Sequence, residues 1–387
     1  MRPTSMGVSC LCGSIAQRVS PRRTDSKVTE ISISHSDTDR HATGILCASY
    51  YPIEEPGLYG NTSEHIGADG YVRFFCRKCG CHIFRRKAVG DRAVGDQAEW
   101  EAATGALIDS TGDNAEHIGD ARFTVHTSVS DTKDGGISVW LPQIDSHALD
   151  ANRNPNFSVE SQASSSLLPL SRLVPADSLP ASCVCGAVSF HITRPDERSY
   201  LPHSGFSDLL YPACKHSEHI VKNPDNVKWW IRADGTKYLA GTCACRPCRL
   251  ASGFEIQTWA FVPRENIFLH TPGPGERRAV VPLDFAALPP GVLRTYESSP
   301  GVLREFCGGC GATVFWHDIW RPDVIDVSVG LLRAPEGARA DTWLDWCMDR
   351  CSFEEEAGRG RTGEPARWAR RLIDGLERGL RSQAQSS

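Results

Sequence analysis

The sequence predicts a mainly β protein built from two tandem copies of one cysteine-bearing domain, joined by a linker and followed by a C-terminal amphipathic helix. An internal repeat, a set of strand-like runs and a Ser/Pro-rich separator carry this reading. Residues 8–19, VSCLCGSIAQRV, match residues 181–192, ASCVCGAVSFHI, around a common Ser-Cys-x-Cys-Gly core. Residues 73–84, RFFCRKCGCHIF, match residues 304–315, REFCGGCGATVF, and between these blocks RHATG at 40–44 answers RLASG at 249–253. Three matched blocks in the same order imply a duplicated unit. The runs AVSFHI, EIQTWAFV and DVIDVSV alternate or are β-branched and aromatic, which reads as strand.

The division that follows is a first copy over 1–150, a linker over 151–180, a second copy over 181–358 and a helix with tail over 359–387. The linker is rich in Ser, Pro and Asn and lacks a helical or strand period. Residues 196–235 enlarge the second copy between its first and second blocks and read as an insertion of turns and short elements. In the tail, Trp368, Leu372, Leu376 and Leu380 recur every four residues with arginines between them, the spacing of an amphipathic helix docked by its apolar stripe.

At 387 residues, with 40% hydrophobic and 23% charged residues, the chain is long enough for two cores and ordinary for a folded protein. A net charge of -5 gives no general attraction to nucleic acid or anionic membrane, so neither is an expected partner. The first residues lack an apolar signal-peptide core and no run approaches a membrane span, so the expectation is a soluble cytoplasmic protein. Sixteen cysteines in a reducing compartment then read as metal ligands before disulfides.

In the second copy, Cys183 and Cys185 open a strand-like run, where alternate residues project to one face. Cys307 and Cys310 lie in a zinc-knuckle pattern with a glycine-assisted turn. Together they make a four-thiolate set that closes a tetrahedron around zinc and serves folding. Cys243, Cys245 and Cys248 differ, because they offer three thiolates within six residues and no evident fourth. Three protein ligands and a vacancy are the usual arrangement of a catalytic zinc. Three anionic sulfurs make that zinc a weak Lewis acid, better suited to holding an exchangeable fourth thiolate for attack on an electrophile such as an aldehyde than to activating water. Other readings of the cluster are a structural zinc completed by Cys214, His216 or His219 of the insertion, a redox dithiol, or buried thiols without metal. Arg246 and Arg249 either balance the excess negative charge and hold a substrate carboxylate, or are ordinary structural arginines.

The order CxC, CxCxxCR, FCxxCG over residues 183–311 resembles the family of glutathione-dependent formaldehyde-activating (GFA-like) enzymes and centromere protein V relatives. The likeness covers residues 181–350 closely and residues 8–147 as a degenerate copy. It implies tandem Mss4-like antiparallel β domains, carbon–sulfur lyase activity on a small-molecule thiol such as glutathione and an aldehyde, a structural zinc on Cys183, Cys185, Cys307 and Cys310, and a catalytic zinc on Cys243, Cys245 and Cys248. The alternative within the same resemblance is a non-catalytic, zinc-stabilised interaction module.

In the first copy, Cys10, Cys12, Cys76 and Cys79 repeat the closed set, which brings the expected total to three zinc ions per chain. Aligning Arg40 and Gly44 with Arg249 and Gly253 puts Ser34, Ser36 and Asp39 where the second copy has its three cysteines, so zinc catalysis is not expected there. His35, Asp37 and His41 lie near enough in sequence for another N/O site or for ordinary polar loop residues. Cys47 and Cys81 read as core or surface thiols.

Overall fold

A computed structural model describes residues 5–22, 28–58, 60–87, 98–111, 121–151, 175, 177–212, 214–272 and 278–386. Most of the expected linker, 152–174 and 176, lies outside the described residues. The chain is mainly β, in several sheets, with a long C-terminal helix.

In the first half, an eight-stranded sheet runs in the spatial order 150–151, 122–127, 30–34, 48–53, 100–103, 82–87, 71–76, 62–66. In the second half, the corresponding sheet runs 231–232, 237–243, 257–263, 324–328, 313–318, 302–306, 294–299. The strand-like runs of the sequence fall on Ser189–Thr193, Gln257–Pro263 and Val324–Ser328. Most pairings are antiparallel, as expected, but each half adds parallel ones at one side: Arg122–Thr127 beside Glu30–Ser34, and Leu344–Trp346 beside Lys237–Cys243. These late-arriving strands come from sequence-distant segments, so their direction is set by the path of the chain around the domain and not by a hairpin.

Each half also carries a short helix in the same place, α1 (Asp37–Thr43) and α3 (Arg246–Ser252). Both are capped alike. Ser36 Oγ accepts from the Asp39 N–H at 3.1 Å, and Cys245 Sγ accepts from the Cys248 N–H at 3.4 Å. Both end on a left-handed glycine, Gly44 with φ 86° and Gly253 with φ 79°. The insertion contributes a further helix of a single turn, α2 (Glu218–Val221).

The halves meet through these helix ends. The Gly105 N–H donates to the Gly253 carbonyl at 2.9 Å, and the Gly330 N–H donates to the Gly44 carbonyl at 3.1 Å. The contacts are reciprocal elsewhere too: a β-carbon on Gly80 would press into Phe306, and one on Gly311 into Phe75. Equivalent residues contacting each other crosswise is the pattern of a two-fold interface, here inside one chain. One contiguous apolar cluster accordingly extends from Met6 through Phe254 to Leu380.

The C-terminal helix α4 (Gly363–Ser386) leaves the second half and docks on the first. Trp368, Leu372, Leu376 and Leu380 are all buried, and Trp368 stacks on Tyr51 at 5.7 Å between ring centres. Glycine inside this helix costs about 1 kcal/mol against alanine, yet Gly375 and Gly379 sit where a β-carbon would strike the carbonyls of Gln143 and Trp140. Close approach of the helix to residues 140–144 requires them. Just before the helix, the buried Arg361 guanidinium donates to Glu255 Oε1 at 3.0 Å and to the Leu107 carbonyl at 2.8 Å, while Thr104 Oγ1 donates to Glu255 Oε2 at 2.8 Å. A fully desolvated ion pair of the second half, hydrogen-bonded to Thr104 and Leu107 of the first, therefore fixes the start of α4.

At Gly330 an added β-carbon would collide with backbone of Ile45 and Gly44, which no rotamer change relieves. Gly330→Ala is expected to lower the unfolding free energy by about 3 kcal/mol, read as a shift in urea midpoint; a loss below about 0.5 kcal/mol would show that the two halves do not hold this contact.

Candidate metal centres

Three groups of cysteines have their sulfurs converging closely enough to hold metal ions: Cys10, Cys12, Cys76 and Cys79; Cys183, Cys185, Cys307 and Cys310; and Cys243, Cys245 and Cys248. Within each group the sulfurs lie within 4.8 Å of one another. All of these cysteines are free thiols. Sulfur–sulfur separations of 3.5 Å for Cys10 to Cys12, 3.6 Å for Cys12 to Cys76 and 3.5 Å for Cys185 to Cys307 are far beyond the ~2.05 Å of a disulfide. They approach the ~3.8 Å edge of a tetrahedron with ~2.3 Å metal–sulfur bonds.

The two four-cysteine groups are built alike. Cys183 and Cys185 do not lie on a strand, as alternation suggested, but in the turn between Ser178–Ser182 and Ser189–Thr193. The turn, not the pleat, brings the sulfurs together. Backbone amides aim at the sulfurs: Ile15 N donates to Cys10 Sγ at 3.3 Å and Lys78 N to Cys76 Sγ at 3.4 Å, with Val188 N and Gly309 N doing the same for Cys183 and Cys307 at 3.4 Å each. Such N–H donors stabilise thiolates and fix ligand orientation.

The three-cysteine group sits at the end of strand Lys237–Cys243 and the start of α3, at the base of a cleft of about 350 Å3. Among the described residues, no fourth Cys, His, Asp or Glu has its ligand atom within this group. Cys214, His216 and His219 do not line the cleft; the insertion reaches it instead through Phe206, Ser207, Asp208 and Leu209. Trp259, Trp316 and Phe353 pack against the sulfurs and make an apolar collar. Asp208, at the insertion's entry into the cleft, accepts from Ser352 Oγ and the Phe353 N–H, both at 3.0 Å, and so ties the insertion to the opposite wall.

Two arginines that the sequence reading passed over face the cleft. Arg304 places Nη1 and Nη2 each 3.6 Å from Cys248 Sγ. Hydrogen bonding from the Cys243 and Cys245 thiols pulls Cys248 well below the ordinary thiol range, and the Arg304 charge acts in the same direction. Burial opposes the Arg304 charge, but Cys248 and Cys245 outweigh it and keep the guanidinium protonated. Arg321 pairs with Asp326 and lies over the Trp316 ring at 5.0 Å. Burial pushes the Asp326 carboxyl up to about 6 against the opposing pull of Arg321. The repeat held the signal for Arg304, since Arg73 opens the same block in the first copy; nothing in the sequence marked Arg321.

Arg249, by contrast, is buried and donates to the carbonyls of Gly105 and Arg359, the latter at 3.2 Å. It serves the join between the halves. Arg246 lies outside the cleft lining, and its N–H donates to Glu356 Oε2 at 3.2 Å.

The first half shows what replaces the thiols. Ser34 Oγ donates to Asp39 Oδ2 at 2.6 Å, and Arg73, the counterpart of Arg304, donates to Asp39 Oδ1 at 2.6 Å. Arg85 stands where the second half has Trp316, and it pairs with Asp39 at 3.4 Å and Glu101 at 2.6 Å. Burial alone would raise the Asp39 carboxyl, but Arg73, then Arg85 and the Ser34 hydroxyl, hold it far below the usual range. His35, Asp37 and His41 do not converge: His35 Nε2 bonds His126 Nδ1 at 2.9 Å, Asp37 pairs with Arg40, and His41 offers its carbonyl to the Val184 N–H at 2.9 Å. Cys47 and Cys81 are core thiols.

Two outcomes follow. Because Asp39 is held low, its stabilisation is fully present above pH ~4 and lost as pH falls through the carboxylate range. Asp39→Asn should cost about 3–5 kcal/mol at pH 7 by leaving Arg73 buried and undercompensated, and the difference from the parent should shrink in acid; a pH-independent gap would count against the ion-pair account. Arg304→Gln should weaken metal binding at the three-cysteine group by roughly 10–100-fold, read by competition with a chromophoric chelator, with the four-cysteine groups unaffected.

No protein-family model matches the chain, and no curated protein matches it.

Proposed function

We propose that the chain is a zinc-dependent carbon–sulfur lyase that forms or breaks a thiol–aldehyde adduct such as S-(hydroxymethyl)glutathione. The observation that carries this reading is the contrast between two groups of four sulfurs and one group of three at the base of a cleft. The donor set suits the metal: soft sulfurs favour zinc over the hard cations that oxygen ligands select, and the sulfurs already converge. Zinc bound there by Cys243, Cys245 and Cys248 supplies a position for an exchangeable sulfur and keeps a substrate thiol deprotonated near neutral pH.

The chain's own residues do the rest. Arg304 donates to Cys248 Sγ and offsets part of the negative charge that three thiolates concentrate. Trp259, Trp316 and Phe353 exclude water from the sulfurs, which strengthens electrostatic contacts and suppresses hydration of the aldehyde. Asp326 lines the same cleft with its carboxyl raised to about 6, close to the range suited to proton transfer. In adduct formation the substrate sulfur bonds to the aldehyde carbon, the carbonyl π pair moves to oxygen, and that oxygen takes a proton from the Asp326 carboxyl. In the reverse direction the Asp326 carboxylate takes the hydroxyl proton as the C–S bond breaks.

Cys245→Ser removes a thiolate and keeps a cap acceptor for the Cys248 N–H, so the fold should survive. Turnover of glutathione and formaldehyde is expected to fall at least ~10³-fold while circular dichroism and the ions on the two four-cysteine groups persist. Retained turnover overturns the placing of the reaction at this cluster, and absence of turnover in the metal-loaded parent leaves the non-catalytic interaction module.

A further inference from the structure

A second cavity, of about 160 Å3, lies between the two halves, away from the thiol cleft. Its walls are Arg40 and His41 of α1, Lys133, and Arg333 with the backbone that follows it. Arg40 and His41 are each 4% exposed, and three of their polar atoms have no partner: Arg40 Nε, Arg40 Nη1 and His41 Nε2. A buried guanidinium is a planar fork of donors, and leaving two of its nitrogens unmatched is unfavourable unless something occupies the space before them. The pseudo-symmetric arginine, Arg249, has both terminal nitrogens engaged, Nη1 by the Gly105 carbonyl and Nη2 by the Arg359 carbonyl, and leaves only Nε without a partner. Arg40 differs in having a terminal nitrogen, Nη1, as well as Nε without a partner.

The charges around the cavity favour an anion. Arg40, Lys133 and Arg333 face two carboxylates, Asp37 and Asp131. Asp37 is engaged by Arg40 Nη2, and Asp131 Oδ2 accepts from the Asp37 N–H at 3.4 Å. Lys133 Nζ donates to the Pro335 carbonyl at 3.1 Å and has further protons to give. Arg333 reaches Ser182 through Nη2 at 3.2 Å and places a second guanidinium at the rim. Burial, with Arg333 and Arg40 acting in the same direction, drives His41 well below its ordinary range, as expected in a field of excess positive charge. The volume corresponds to roughly five waters at ~30 Å3 each. It falls below the ~300–1,000 Å3 of pockets that enclose whole organic ligands, so it fits one charged group and not a complete cofactor.

We propose that this cavity binds a phosphate group, as inorganic phosphate or as the terminal group of a phosphomonoester. Arg40 grips it from the first half and Arg333 from the second. Because residues of both halves contact the same group, its binding stabilises the join and is linked to global stability.

The test uses the full metal-loaded chain, titrated with inorganic phosphate against chloride at constant ionic strength. Thermal unfolding should shift upward by roughly 3 °C at a hundredfold excess over Kd. The double variant Lys133→Gln/Arg333→Gln, at the rim of the cavity, should keep its midpoint without phosphate and bind phosphate at least ~10-fold more weakly; Lys133→Gln alone should show a smaller loss in the same direction. O-phosphoserine as a second probe separates the sources: a shift equal to that of inorganic phosphate supports a phosphomonoester, and a shift with inorganic phosphate alone supports the free ion. No shift in the parent overturns the proposal. So does an undiminished shift in the double variant, which would place the phosphate elsewhere, the thiol cleft included, and so does acetate matching phosphate at equal ionic strength.

Discussion

Backbone meets backbone where the two halves join, and the rest of the molecule depends on that approach. Gly44 and Gly253 end their helices in the left-handed conformation, and Gly330 and Gly105 donate to their carbonyls across the join. The geometry serves two purposes with the same atoms. It terminates α1 and α3, and it locks each half against the other along a pseudo-two-fold axis. Side chains at these four positions would separate the sheets, and with them the apolar cluster that both halves share.

The two halves differ at equivalent positions. Both retain the caps, the left-handed glycine and the buried arginine of the third block. In the second half that arginine, Arg304, faces a thiol and leaves a cleft beside it. In the first, Arg73 faces Asp39, and Arg85 enters where Trp316 stands in the other copy. A carboxylate between two guanidiniums is a closed ion-pair network. Such a network stabilises as long as all members are present and has no coordination to offer a ligand.

The first half nonetheless bears on the cleft through the chain's last segment. Ser352 and Phe353 form part of the cleft wall, and ten residues later the chain enters α4, which is packed on the first half. Arg361, buried against Glu255, Thr104 and Leu107, anchors the passage from one to the other. The first half thus supports the wall of the cleft as well as completing the core.

Much of this was legible in one dimension because the cysteines fall in short clusters and ligand spacing is local. The two closed sets, the group of three, the loss of the thiols at Ser34, Ser36 and Asp39, and the apolar stripe of α4 all follow from repeats and short periods. Turn placement of Cys183 and Cys185, the parallel edge strands, the structural use of Arg249, and Arg321 and Asp326 facing the cleft do not. Each depends on segments far apart in sequence. The sequence by itself determined which residue types were available for metal and in what groups; tertiary structure decided which arginine faces a sulfur and which a carbonyl, because that choice is made by strand pairing and by the contact between the halves.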